Sequence, residues 1–560
     1  MFTALFNTGM PQPIHRTDPS PVPKTATEHR VPMRDGVRLA ADLYLPAAAA
    51  GHTPLPTLLT RLPYDKNSRY VFMDRIAAYL TARGYAVVVQ DVRGKFRSEG
   101  ETMPFVHEAD DGYDTIDWIT RQDWSDGRVG MFGDSYYGTT QWAAASSGHP
   151  ALRAIAPRVT GADGIRPEYW QGDGITQLFG VLYYAAYWTD NRVYDFEPDL
   201  GARPLAGMLD EIAEGIGARP AMWDSSIPEV RPVNAYPYGH PFDGRPIPVL
   251  HQAGWFDNCL QPSINDWARL AADPEWAPLQ YLHVDSIDHE GYHLDDVPVS
   301  PEHDHAVSDA AVERMLPRHL DPLVAFFDVF VKGSGSGQSL PRVRWHLGHV
   351  GDRTSECWPP PGARTLPLYL DGSGLRQDAP AELESAMWTH DPDDLVPSLL
   401  EDSFSAVRYH VDEASLHARG DVLTFDTAPF TEPLDLAGPV RAVLTVGTDG
   451  PSGAHVYLKL LDVSPDGSAH VLVRGQKSIP SGEPAEITFD LTHAGYRVRP
   501  GHALRLYVAS SDFPMYLPHP GTAENPWLAV SGKATIQTLT TGGVQPSRLI
   551  LTVLDAEAPE

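Results

Sequence analysis

The hydrophobic pattern of this chain changes its period once, and that change limits the fold more than any other feature. Ahead of the stretch Gly333-Ser334-Gly335-Ser336-Gly337, short apolar runs such as AVVVQD alternate with helical patterns. Beyond it come short runs of period two, among them VRWHLG, LPLYLDG, VRAVLTVGT, HALRLYVASS and SRLILTVL, separated by turn residues. Alternating strand and helix predict an α/β domain with a mostly parallel sheet. The later pattern predicts an all-β sandwich or jelly roll. With 560 residues the chain is also too long for one ordinary domain.

The first zone can be followed element by element. Alternating runs flank Asp35-Gly36, a hairpin signal. Leu55 to Leu59 suits a buried strand, and Arg75 to Arg83 a helix closed by Gly84. AVVVQD suits a buried parallel strand, and Asp110 to Thr120 a helix with acidic residues at its start. Strand and helix then cease to alternate between Asp163 and about Pro246, where Trp, Tyr and Gly abound. That segment reads as an insertion with helical patches. The pattern resumes at PIPVLHQAGWFD, continues through Leu279 to Val284, and closes with a helix near Pro322 to Val331. The expected organisation is an N-terminal arm (1–30), an α/β domain (31–160 and 246–333), a helical insertion (161–245) and a β-sandwich (338–560).

The formal charge of −30 sets the chain against nucleic acid and anionic membranes. No apolar run is long enough to span a bilayer, and Met1 to Pro23 lacks the layout of a signal peptide. A cytoplasmic location is the expectation. Only two cysteines occur, Cys259 and Cys357, so a disulfide framework and a CxxC metal motif are both excluded. No cofactor is expected, and the expected partner is a small molecule.

The most telling segment is Val129-Gly130-Met131-Phe132-Gly133-Asp134-Ser135-Tyr136-Tyr137-Gly138. An apolar strand runs through Gly-x-Ser into a helix of small residues, as in the nucleophile elbow of α/β-hydrolases. The start of the helix offers N–H groups to a developing oxyanion, that of Tyr136 first. The usual elbow has glycine two places after the serine, whereas here Tyr137 stands there and Gly138 follows. The competing reading makes Ser135 a mere helix cap. A serine hydroxyl needs a base, and an imidazole oriented by a carboxylate supplies one.

These residues resemble the cocaine-esterase-like and Xaa-Pro dipeptidyl-peptidase-like serine hydrolases, over about Val31 to Val553. The markers are MRDGVRLAADLYLP, RLPYDK, GYAVVVQDVRGKFRSEGE, DWSDGRVGMFGDSYYGTTQWAAA, GWFD, DLAGPVRAVLTV, LLDVSPDG and ASSDFP. The resemblance implies an α/β-hydrolase domain with a helical cap and a C-terminal jelly roll. It also implies Ser135 as nucleophile, Asp257 of GWFD as triad acid, and an oxyanion hole from the Tyr64 hydroxyl and the Tyr136 N–H. The triad histidine should follow the next strand in a Gly-Pro-Trp-x-His segment, which is absent. His289 is the best candidate, ahead of His293 and then His283. The string His289-Glu290-Gly291-Tyr292-His293 also matches HExxH in spacing, but its flanking Asp and Gly predict a loop and not the required helix, so no metal is assigned. Asp285, Asp288, Asp295 and Asp296 read mainly as solvated loop carboxylates. Trp170 in the cap is offered as a substrate-binding residue.

Three functions follow. The first is a carboxylic-ester hydrolase that forms an acyl-enzyme. The second is an amidase or an Xaa-Pro dipeptidyl peptidase. The third is a non-hydrolytic descendant, an acyltransferase, lyase or binding protein, suggested by the altered histidine segment.

Overall fold

Ten strands form the first sheet: β1 (Thr27–Pro32), β2 (Arg38–Tyr44), β3 (Leu55–Leu62), β4 (Ala86–Asp91), β5 (Ser125–Asp134), β6 (Leu152–Arg158), β7 (Val249–Phe256), β8 (Gln280–Asp288), β9 (Val343–Leu347) and β10 (Gly351–Ser355). The computed structural model describes residues 18–47, 53–163, 174–178, 199–216, 219–220, 223, 227–229, 234–294, 309–399 and 410–555. The strand order is β1-β2-β4-β3-β5-β6-β7-β8-β9-β10. From β4 to β9 every neighbouring pair is parallel, and antiparallel pairs close both ends.

Two layers of helices cover this sheet because its strands are apolar on both faces. Alternate residues point to opposite sides. Ala86 and Val88 of β4 join one cluster with α2 (Glu108–Thr120) and α3 (Ser135–Ser146). Val87 and Val89 join the other with α1 (Met73–Thr81) and the long helix Asp309–Phe330. On that second face Leu320, Leu323, Phe326 and Phe327 pack over Leu58 and Phe132.

The sheet extends further than the Gly/Ser stretch suggests. The run VRWHLG, assigned from its pattern to the sandwich, is β9 and pairs in parallel with β8, Leu282 opposite Val343 and Val284 opposite Trp345. A parallel neighbour needs a crossover, and the helix Asp309–Phe330 provides it. The strand–helix alternation therefore has one more cycle than its period reveals, and the strands of the second sheet start at Arg364. Among the described residues, eleven strands between Arg364 and Leu554 form that second, β-rich unit. Its core is continuous with the far end of the first sheet, where Trp255, Phe256 and Trp345 meet Tyr496 and Trp358. Within the inserted segment the described residues include one helix of ten residues, α4 (Gly207–Ile216), which buries Met208, Leu209 and Ile212. The bridge Gln177–Tyr516 ties the insertion to the sandwich. Trp170 lies outside the described residues.

Candidate active site

The serine stands where β5 stops and α3 begins, and its backbone is bent into the left-handed region with φ of 52°. A non-glycine residue adopts that conformation only when its surroundings enforce it. Gly133, two residues earlier, has φ of 141°, and a Cβ there would lie 2.2 Å from the Tyr137 ring. Gly138 serves the next contact, since a Cβ on it would lie 2.4 Å from Thr160 Cγ2. The bend thus uses glycine on the strand side and again one place later than usual, leaving room for Tyr137 between them.

Three side chains from three strand ends then converge. His289 Nε2 lies 2.9 Å from Ser135 Oγ, and His289 Nδ1 lies 2.7 Å from Asp257 Oδ1. Asp257 follows β7 and its side chain is fully buried, while His289 follows β8. A carboxylate only accepts, so Nδ1 donates to it and Nε2 is left to accept from the serine hydroxyl. Burial opposes the charged imidazole, but the adjacent Asp257 carboxylate outweighs it and holds the His289 pKa well above its ordinary value. That arrangement can take a proton from an attacking hydroxyl and stabilise the resulting cation.

The two other histidines of this segment go elsewhere. His293 meets Asp285 Oδ1 at 3.1 Å, and burial pushes His283 down to about 4. The backbone around them turns back on itself, with Gly291 N–H donating to Asp288 O and Ile287 bridged to His293. It is a turn, and the two imidazoles of the HExxH-like string take different partners. Asp285 is not a solvated loop carboxylate. Burial works against its charge, yet the hydrogen bond from His293 and the nearby imidazoles bring its pKa down.

Tyr64 sits in the loop after β3, half-buried, with its ring 5.7 Å from Tyr70 and 6.1 Å from Tyr137, both edge-on. It therefore lies at the serine's end of the sheet, beyond the parallel strands β3 and β5. Below it Lys66 Nζ is buried 3.2 Å from Asp42 and 3.7 Å from Asp91, anchoring the loop. The side chain of Tyr136 points into the core, where its hydroxyl donates to Glu108 Oε1 at 2.8 Å and accepts from Phe105 N–H at 2.9 Å. That anchor fixes the first turn of α3, where backbone N–H groups have no partner within the helix.

Several residues of this neighbourhood escape the sequence reading. Arg158, at the end of β6, holds Asp134 at 2.6 Å, and His319 Nε2 lies 3.8 Å from the other oxygen of Asp134. Burial pushes His319 down to about 4. Glu290 approaches the Tyr70 hydroxyl at 3.5 Å. Cys259 lies beside His289, its thiol raised by burial first and then by Asp257. One signal was available for the ion pair: Asp134 and Arg158 both end neighbouring parallel strands.

Residues 35–293 match the family model of X-Pro dipeptidyl-peptidase (S15 family), and residues 335–550 that of the X-Pro dipeptidyl-peptidase C-terminal non-catalytic domain. Cocaine esterase of Rhodococcus sp. (strain MB1 Bresler) is 31% identical over 548 residues, spanning 88% of this chain and 91% of that protein. The chain belongs to this S15 family of serine hydrolases. Among solved structures, an α-amino acid ester hydrolase superposes with a TM-score of 0.77 at 26% identity, covering 98% of this chain and 99% of its own. An aminopeptidase from a marine sediment Thaumarchaeota archaeon shares the fold, with a TM-score of 0.78 at 24% identity, covering 96% of this chain and 98% of its own. Among the described residues no helix is long and apolar enough to cross a membrane.

Proposed function

We propose that this S15-family chain hydrolyses a carboxylic ester through an acyl-enzyme on Ser135. The observation that carries the reading is the chain of contacts Ser135 Oγ to His289 Nε2, 2.9 Å, and His289 Nδ1 to Asp257 Oδ1, 2.7 Å. The likeness to cocaine esterase over 88% of the chain supports an ester as the substrate.

In this mechanism His289 takes the Ser135 proton as Oγ attacks the carbonyl carbon. Asp257 keeps the imidazole in the tautomer that can accept, and stabilises its cation. Negative charge developing on the carbonyl oxygen is met by the Tyr64 hydroxyl and the Tyr136 N–H at the start of α3. The tetrahedral intermediate collapses, His289 returns the proton to the leaving alcohol, and the acyl group stays on Ser135. A water, deprotonated by the same imidazole, then releases the acid. The substrate is a small neutral or weakly charged ester, since a net charge of −30 disfavours polyanions. The free cysteines Cys259 and Cys357 agree with a reducing, cytoplasmic setting.

The family model favours a second reading, cleavage of an Xaa-Pro peptide or related amide by the same groups. Asn258, Cys259 and Leu260 follow Asp257, so no carboxylate there receives a substrate ammonium. A panel of aryl esters against Gly-Pro anilides separates the two. Labelling by a fluorophosphonate, lost in Ser135→Ala, tests the nucleophile itself. An unlabelled native protein would overturn the proposal.

A further inference from the structure

Cys259 occupies the N-cap position of the helix that follows Asp257, α5 (Leu260–Ala272), yet its side chain makes no capping hydrogen bond. The thiol instead turns toward the proposed triad. One ligand atom from each of Asp257, Cys259 and His289 lies within 4.8 Å of the other two. Asp257 adds a second sign. One of its oxygens receives His289 Nδ1, while Oδ2 is buried and accepts no hydrogen bond. A buried carboxylate oxygen without a donor is costly and open to a cation.

A thiol, an imidazole and a carboxylate are the ligand types that zinc takes, and tetrahedral coordination sets such atoms roughly 3.3–3.8 Å apart. On metal binding the His289 Nδ1–Asp257 Oδ1 contact, 2.7 Å in the metal-free protein, would open to that range, while the three ligand atoms already lie within 4.8 Å of one another. Another group, Asp285, His293 and His346, also converges, but it offers no thiol to a thiophilic ion.

We propose that Asp257, Cys259 and His289 form a binding site for one thiophilic divalent cation of the zinc class, and that filling it switches the hydrolase off. The proposal rests on the triad reading for its inhibitory half only. On binding, the thiol releases one proton to solvent and ligates as thiolate. The imidazole, where its raised pKa leaves it protonated, also gives up one proton to solvent; it ligates through Nδ1 and keeps its remaining hydrogen on Nε2. The thiolate and carboxylate charges balance the dication. With a hydrogen on Nε2, His289 can no longer accept a proton from Ser135, and Asp257 no longer orients it. Affinity rises with pH because protons are displaced from the thiol and the imidazolium.

Two measurements on the full chain test this. In the first, chelator-treated protein is titrated with zinc chloride during hydrolysis of an aryl ester, each variant compared with its own metal-free rate. Inhibition reversed by chelator is expected, with the half-inhibitory zinc concentration about 100-fold higher in Cys259→Ala and unchanged in Cys357→Ser, a loss at the upper end of what removing even an outer partner of a ligand costs. Equal inhibition of the native protein and Cys259→Ala would overturn the site. In the second, cobalt(II) is added to the Ser135→Ala/Cys357→Ser protein and the thiolate-to-cobalt absorption band is recorded. One equivalent should produce the band, and further loss of Cys259 should abolish it. Absence of the band overturns the site whatever the activity. A band in a protein that hydrolyses no ester would uphold the metal site and overturn the hydrolase reading with its switch.

Discussion

Arg158 Nη1 holds Asp134 Oδ2 at 2.6 Å, and the two residues stand opposite each other at the ends of the parallel strands β6 and β5. Asp134 immediately precedes Ser135. The guanidinium also lies beneath the turn that carries His289, since a Cβ on Gly291 would come 3.1 Å from Arg158 Nη2. One buried cation therefore supports both the serine bend and the histidine loop. Burial works against its charge, yet Asp134 prevails and its pKa is raised. Arg158→Met leaves the Asp134 carboxylate without its partner. Chemical denaturation should show a loss of about 3 kcal/mol, the lower end for a broken buried pair because Asp134 keeps part of its side chain in solvent. Asp134→Asn/Arg158→Met should regain most of that loss.

The His289–Asp257 contact predicts a pH profile. As base, His289 must be uncharged, so the rate falls when acid protonates it. The neighbouring carboxylate holds its pKa well above 6.5 against the effect of burial, so kcat/KM should still be rising above that pH. Asp257→Asn removes the charge and should move the acid limb down, while lowering kcat about 10⁴-fold through the wrong tautomer. The sign for stability runs the other way. A histidine whose folded pKa is raised lends stability that is complete below its unfolded value and is lost as pH climbs through the folded one. Urea midpoints of the native protein relative to Asp257→Asn should therefore converge as pH rises through the limb seen in the kinetics.

Much of this was legible in the chain, for reasons that differ between elements. The bend at Ser135 is visible because a strand, a glycine, a serine and small helical residues occur in unbroken order, so local sterics alone mark it. The buried strands show in runs such as Val87-Val88-Val89, whose two faces feed two cores. Strand β9 reads as a sandwich strand because a five-residue run of period two looks the same inside a parallel sheet as in a sandwich, and only its pairing with β8 decides. Which of the four carboxylates is the exception was not legible, because Asp285 meets His293, eight residues later, only across a turn. The Asp134–Arg158 pair is 24 residues apart in sequence, and Cys259 meets His289 only in space. Contacts of that kind depend on strand order, which no local pattern encodes.

Gly133 gives a prediction about the bend itself. Its φ of 141° is unfavourable for any other residue, and an added Cβ would overlap the Tyr137 ring at 2.2 Å and press on Thr60 Oγ1 at 3.0 Å. Gly133→Ala must shift either the ring or the strand end that presents Ser135. Fluorophosphonate labelling should slow by at least about tenfold, and stability should fall by about 2 kcal/mol, within the range for strain and overpacking. Labelling at the native rate would show that the bend tolerates what the geometry forbids.

Tyr64 provides the sharpest separation of chemistry from folding. Its ring is held edge-on by Tyr70 and Tyr137, and its loop is anchored from below by Lys66, Asp42 and Asp91. Removing one hydroxyl leaves those ring and loop contacts in place, so Tyr64→Phe should stay folded, with its unfolding midpoint measured beside its kinetics. If the phenol meets the oxyanion, the missing donor should lower kcat by about 10²- to 10³-fold with little change in KM, because the interaction forms only as the carbonyl becomes tetrahedral. A rise in KM at constant kcat would instead make Tyr64 a binding residue, and the Tyr136 N–H would then carry the developing charge without it.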